Sequence, residues 1–318
     1  MGAVILGSGI IGLSTAYYLS RTQAGKTIHL VDSSPELFAS ASGYAGGFVA
    51  RDWFASSVAS LGQLSFDEHR RLAEDHGGRE KWGYSRTVTM SHDARGQEDW
   101  LSAEGSRAAS ATAGAVSHGV APRWLKTGAD VSIMDDGEGT SIVDPLKLCH
   151  FLLEECKKSG VKIHYPATAL GIATDMRDEL ASVRIGYTES VIYLAGVNSA
   201  AIPLPPLATG SKTVEASVDK LKDVARQLIA IEEGDDLEVV RTGLCFRPIT
   251  PTGTPILDKI PDEHLGKGIE TRSGSDGGVF VAVGHGPWGI SLSLGTGKVM
   301  AEMMQGKELS ADITKLGL

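Results

Sequence analysis

Apolar residues open the chain in an unbroken run, Ala3 to Leu6, that stops at a glycine. Such a run predicts a short strand buried on both faces of a parallel sheet. Ile10 to Thr22 follows as a helix and Thr27 to Val31 as a second apolar strand, so the chain begins with a βαβ unit. Residues 33–55 are rich in Ser, Ala and Gly, and residues 56–76 return to a helix-like mixture that ends at Gly77 and Gly78. Tyr84 to Met90 alternates as a strand does. Ser102 to Gly119, mostly Ala, Ser and Gly, predicts a loop or a marginal helix.

The clearest helix starts at Asp144 and Pro145, an N-cap acid followed by proline at the first helical position. Leu146, Cys149, Leu153 and Cys156 form one buried stripe along it, and Gly160 stops it. Val161 to His164 is the next strand and feeds the first sheet. After two further short strands, Val214, Val218, Leu221, Ala225 and Leu228 mark another amphipathic helix, and Val239 to Phe246 is strand-like. Gly277 and Gly278 introduce a last strand, Val279 to Val283, and a glycine-rich turn leads to a final helix, Ile290 to Met304. There are no repeats and no proline-rich linker. A chain that returns to its first sheet at its middle and its end predicts two interleaved domains, one from residues 1–55, 140–175 and 275–318, the other from 56–139 and 176–274.

Composition narrows the function classes. Of 318 residues, 39 are acidic and 30 basic, a net charge of −9 that argues against a nucleic-acid partner. Cys149, Cys156 and Cys245 cannot form a closed disulfide set and lack metal-ligand spacing, which suits a reducing compartment without structural zinc. Residues 1–19 are apolar, but their regular glycines and the lack of a basic leader argue for folded strand and helix over a signal peptide or membrane span. Leu6 stands where a myristoylation signal needs Ser or Thr, and Lys315 to Leu318 does not read as a peroxisomal signal, so the cytosol is the expected location.

Candidate chemistry begins at Gly7, Ser8, Gly9, Ile10, Ile11 and Gly12, a glycine fingerprint lying between strand and helix. The first glycine permits the turn, the second lets a pyrophosphate approach the backbone, and the third lets helix pack on strand. The helix N-terminus then offers unpaired amides to the phosphates. Asp32, followed by Ser33, ends the second strand twenty residues beyond Gly12, where a carboxylate accepts bonds from adenosine ribose and disfavours a 2′-phosphate. NAD and FAD both satisfy this pattern.

Two features bear on the choice. Ala39 to Gly47 is a chain of small residues where a nicotinamide enzyme normally starts its next βαβ unit, either a surface loop or backbone that passes close to an extended, flat ligand. Near the other end, Gly284, His285, Gly286, Pro287, Trp288, Gly289 and Ile290 join strand to helix, and a positive helix end there suits the negative charge of a reduced flavin. His285 and Trp288 line such a site or pack beside the turn.

At these residues the sequence resembles the D-amino-acid-oxidase-like superfamily of FAD-dependent amine and amino-acid oxidases, which includes glycine, sarcosine and fructosyl-amine oxidases. The resemblance covers Val4 to Arg51, Asp144 to Ile172 and Leu244 to Gly306, and Ala45 to Trp53 is similar to a fungal branch of oxidoreductases. It implies an α/β fold, a Rossmann-like FAD-binding domain interleaved with an α+β substrate domain. It also implies that Ser42, Gly46 and Gly47 lie beside flavin and phosphates, that Ala169 bonds adenine through its backbone, and that Gly284, Gly286, Gly289 and Ile290 hold the ring's pyrimidine edge. In the block Cys245 to Pro251, an arginine at the Arg-Pro position binds the substrate carboxylate in glycine-oxidase-like members, which assigns Arg247. A cysteine two residues earlier carries flavin covalently in sarcosine-oxidase-like members, which assigns Cys245. Otherwise Cys245 is an ordinary thiol, and Arg247 an ion-pair partner of Asp258 or Glu238.

The resemblance weakens between Val183 and Ser199, where family members carry more strands. Either Leu194, Ala195 and Gly196 form the flavin-adjacent strand, or they belong to the substrate domain and part of its roof is missing. The expected function is FAD-dependent oxidation of the C–N bond of a small amine or amino acid, with oxygen as the second substrate and no obligate acid–base residue. The alternatives are a catalytically inert FAD-binding factor for interaction or trafficking, and an NAD-dependent dehydrogenase.

Overall fold

The computed structural model describes residues 2–93, 130–169, 202–228, 239, 242–265 and 277–318. β1 (Ala3–Leu6) pairs in parallel with β2 (Ile28–Val31), Ala3 opposite Ile28 and Leu6 opposite Val31, across α1 (Ile10–Ser20). β8 (Lys162–His164) pairs in parallel with the far edge of β2, so the chain does return to its first sheet at its middle. Among the described residues it does not return there as a strand at its end. β10 (Val279–Val283) pairs antiparallel with β9 (Ile256–Ile260).

The return at the end is made by a helix. α7 (Gly289–Met304), which follows β10, lies across α1 and α3 (Ala59–His76). The crossing is close because Gly297 faces Ser14 and Gly295 faces Ser65, whose Oγ accepts the Gly295 N–H at 3.0 Å. The three helices are also joined by one buried carboxylate: Tyr18 donates to Glu68 at 2.6 Å, Lys298 at 3.0 Å, and Arg71 completes the cluster.

α5 (Pro145–Lys158) follows its sequence signals closely. Asp144 accepts the Lys147 N–H at 2.9 Å, Lys157 and Lys158 sit in the last turn, and Gly160 leaves the helix at φ +89°. Its buried face is wider than one stripe, because α1, α2 (Ala41–Tyr44) and α4 (Gly78–Trp82) all pack on it. Leu148, Cys149, Leu152, Leu153 and Cys156 are buried, whereas Leu146 is only partly so. They share one core with Leu13 and Leu19 of α1, Leu30 of β2 and Phe66 and Leu72 of α3, each fully buried aliphatic side chain contributing about 1.5–3 kcal/mol.

β3 (Phe48–Ala50) pairs antiparallel with β7 (Thr140–Ile142), which pairs with β4 (Ser85–Arg86); β5 (Thr89–Asp93) pairs with β6 (Asp130–Asp135). The amphipathic pattern from Val214 forms α6 (Glu215–Leu228).

Two further expectations are corrected. β1 is not buried on both faces: Ala3 turns inward, but Val4 and Leu6 are each 65% exposed. The helices cover the other face of the sheet, so alternation along the strand leaves these two side chains outward. Of the strand expected over Val239 to Phe246, the described residues 239 and 242–246 join no ladder, and Gly243 lies against a side chain instead. The expectations for Ser102 to Gly119 and for Leu194 to Gly196 lie outside the described residues.

Candidate functional site

The glycine turn between β1 and α1 is built as its spacing predicts. Gly7 has φ +97° and donates to Val31 O at 2.7 Å, which ties the turn to the end of β2. A Cβ on Gly12 would stand 1.9 Å from Gly7 O, so helix and turn meet only because that position is bare. The first amides of α1 have no acceptor within the helix. The Ile10 N–H goes to Ser42 Oγ at 2.9 Å, which brings the small-residue segment to the helix N-terminus beside Gly9 and Ile11.

Asp32 closes the other side of the turn. Its Oδ2 accepts the Ser8 amide at 2.8 Å and the Ser8 hydroxyl at 2.6 Å, and its Oδ1 accepts the Ser34 amide at 2.9 Å. Ser33 between them is exposed. The Asp32 carbonyl takes the Ala167 N–H at 2.7 Å, so Ala169, exposed two residues further on, leaves from the same corner.

The small residues are a short helix and turn, α2 followed by an exposed Gly46 and a buried Gly47, whose carbonyl accepts from Val143 at 2.9 Å. Gly243 lies against Tyr44 of this helix so closely that a Cβ there would overlap the ring. Gly243 therefore brings its stretch of chain against the small-residue segment. Beyond them, Pro248 O accepts the Gly286 N–H at 2.9 Å and Ile249 bridges antiparallel to His285. The Arg-Pro block is thus laid along Gly284, His285 and Gly286, the turn that starts α7.

That turn is fixed from below by contacts the sequence did not announce. Ser291 Oγ accepts from Ala50 N at 2.9 Å and reaches Ala50 O at 3.2 Å, pinning the first turn of α7 to β3. His69 Nε2 donates to Ile290 O at 2.9 Å. These partners are more than two hundred residues apart in sequence, and no local pattern marks them.

Of the residues assigned to catalysis, Arg247 is half-buried and acts electrostatically on Cys245. Burial pushes the Cys245 thiol up while the Arg247 charge pulls it down, with burial prevailing. His285 is buried, with Nε2 3.0 Å from Thr296 Oγ1 of α7, and Trp288 stacks edge-on to Phe54 at 5.0 Å. Both make the packing contacts that their sequence context allowed as an alternative to lining a site.

His69 and His285 are held neutral by burial, each pushed down to about 4 from the ordinary 6.5. The unfolded chain therefore takes up protons that the native chain refuses. Stability is full above pH 6.5 and declines as pH falls towards 4, by about 1.4 kcal/mol per pH unit for each histidine. Urea midpoints should drop between pH 7 and pH 5, and His285→Gln should flatten the slope; an unchanged slope would contradict this account.

The donor set suits a dinucleotide: bare backbone at Gly12, the amides of α1 and the Ser42 hydroxyl for phosphates, the Asp32 carboxylate for ribose. The DAO model, FAD dependent oxidoreductase, matches residues 3–214 and 183–303. The chain belongs to this family. FAD is the cofactor, which settles what the glycine fingerprint alone left open between NAD and FAD.

Among relatives, a Schizosaccharomyces pombe protein named as an oxidoreductase, C1F5.03c, is 25% identical over 400 residues, covering 98% of this chain and 96% of its own length. The Saccharomyces cerevisiae protein TDA3, also named as an oxidoreductase, is 36% identical over 99 residues, 30% of this chain and 18% of its own. Glycine oxidase from Geobacillus kaustophilus superposes with a TM-score of 0.66 at 17% identity, covering 99% of this chain and 97% of its own. Iminodiacetate oxidase from Chelativorans sp. BNC1 gives 0.61 at 18% identity, covering 99% and 98%. These two establish the DAO fold. No described helix is long and apolar enough to cross a membrane.

Proposed function

We propose that this DAO-family chain oxidises the C–N bond of a small amine or amino acid and that Arg247 binds the substrate carboxylate. One observation carries the assignment. Gly243, two residues before the Arg-Pro block, lies against Tyr44, and the block itself meets Gly286 and His285, which supports placing Arg247 between the small-residue segment and the start of α7. A guanidinium there offers two parallel donors to a carboxylate, which fixes orientation as well as affinity. The fold neighbours named for glycine and iminodiacetate support the same class, since both compounds are amines that carry carboxylates.

Bound FAD would supply the two-electron redox chemistry for oxidation of the amine, held by the glycine turn, Ser42 and Asp32. The chain's own residues bind and orient. Arg247 holds one end of the substrate, and the first turn of α7, fixed by Ser291 and His69, directs its positive end at the site. His285 is bonded to Thr296 and kept neutral by burial, so it is not assigned as a base.

The test is the visible spectrum of the purified chain followed by peroxide release over a panel of amines. Arg247→Met should raise KM for carboxylate-bearing amines on the order of a hundredfold and leave amines without a carboxylate unaffected. Equal loss on both groups would remove Arg247 from substrate binding. Flavin bands that leave with the supernatant after acid precipitation would make Cys245 an ordinary thiol.

A second reading, FAD binding without turnover, is favoured by one finding. The alignment with C1F5.03c runs over 400 positions against 318 residues here, and the family model matches twice across residues 183–214. This chain therefore lacks internal residues that its relative has, and a coloured protein inert towards the whole panel would support that reading.

A further inference from the structure

We propose that Ser8 is a positioning residue: by filling one oxygen of Asp32, it restricts that carboxylate to a single hydroxyl of the adenosine ribose. The proposal rests on FAD occupying the glycine turn. Ser8 is 1% exposed, and its amide and hydroxyl both donate to Asp32 Oδ2, at 2.8 and 2.6 Å. A carboxylate oxygen has two lone pairs, so Oδ2 is saturated. Among the described residues, Oδ1 takes only the Ser34 amide, at 2.9 Å, and keeps one acceptor position.

The backbone of Asp32 is equally constrained, its N–H given to His164 O at 2.9 Å and its carbonyl taken by Ala167 N–H at 2.7 Å. Three donors on a side chain with two torsions leave it one orientation. The ribose diol therefore meets one free lone pair, on Oδ1, and a second bond to Asp32 would require the Ser8 hydroxyl to let go. Glycine or alanine at position 8 would leave half of Oδ2 open, so the serine hydroxyl is the group that sets this count.

The experiment titrates deflavinated protein with FAD and with its 2′-deoxy and 3′-deoxy adenosine analogues, following the flavin absorbance change. Wild type should lose about tenfold in affinity with one analogue and less than twofold with the other. Ser8→Ala should melt within a few degrees of wild type and, with Oδ2 opened to the second hydroxyl, bring the two analogues within about twofold of each other. In an Asp32→Ala background, Ser8→Ala should add nothing further, since its effect passes through the carboxylate. Equal penalties for the two analogues in wild type, an undiminished gap in Ser8→Ala, or additivity with Asp32→Ala would each overturn the proposal. Failure of the wild-type chain to take up any of the three flavins would instead overturn FAD occupancy of the turn.

Discussion

Gly12→Ala is expected to strip FAD from the chain, lowering affinity on the order of a hundredfold or more. The added methyl would stand 1.9 Å from Gly7 O and 3.3 Å from Ile5 Cγ2. The nearer atom is backbone, and Gly7 is itself held by its 2.7 Å bond to Val31 O, so the helix must move instead of the turn. Such overpacking costs about 1–3 kcal/mol in stability. The larger loss is functional: displacing the start of α1 takes its amides and the Ser42 bond away from the phosphates together, a combined effect of about 3 kcal/mol or more. Titration with FAD, paired with a thermal melt, separates the two losses. A variant that binds FAD within threefold of wild type would show that this turn is not the cradle.

Removing the Glu68 carboxylate should produce the largest loss of stability. Glu68 is 5% exposed and accepts from Tyr18, Lys298 and Arg71, so it ties α1, α7 and α3 at their crossing. Glu68→Ala leaves a buried phenol and a partly buried ammonium without their acceptor, a loss of about 3–5 kcal/mol, or a fall in Tm on the order of 10 °C. Arg70→Ala, which breaks an exposed pair with Asp67, should cost under about 0.5 kcal/mol. The pH dependence has a definite sign. Burial alone would raise the Glu68 carboxyl, but the bonds from Arg71, Tyr18 and Lys298 outweigh it and hold it below the ordinary 4.5. A lowered native value means the stabilisation is full above the unfolded value and is lost as pH falls through the native one. The difference between wild type and Glu68→Ala should therefore shrink below about pH 4.5; a difference independent of pH would mean that packing, not charge, is at work.

Both residues lie where sequence and structure divide. Gly12 belongs to a pattern whose meaning is local: strand, turn and helix N-terminus follow one another within a dozen residues, so spacing alone predicts the geometry. The same holds for the Asp144 cap, Pro145 and the Gly160 stop, and for α3, which ends at Gly77 with φ +68°. Glu68 carries no such mark. In sequence it is one more charge on an amphipathic helix, and its burial follows from Tyr18 and Lys298 arriving from elements 50 and 230 residues away.

What the amino-acid sequence determined by itself was the βαβ opening, the glycine turn with Asp32 at the end of its second strand, and the capped helix from Pro145. Each depends on periodicity, backbone freedom or capping within a few turns of chain. The tertiary structure alone decided that β10 pairs with β9, that α7 instead carries the chain's end back to α1, that Val4 and Leu6 face outward, and that His285 turns in to Thr296. It also decided that Gly243 lies against Tyr44 and that Pro248 O accepts from Gly286. Those outcomes depend on which buried surfaces and backbone donors find each other across the whole chain, and such pairings leave no period in the sequence from which they could be read.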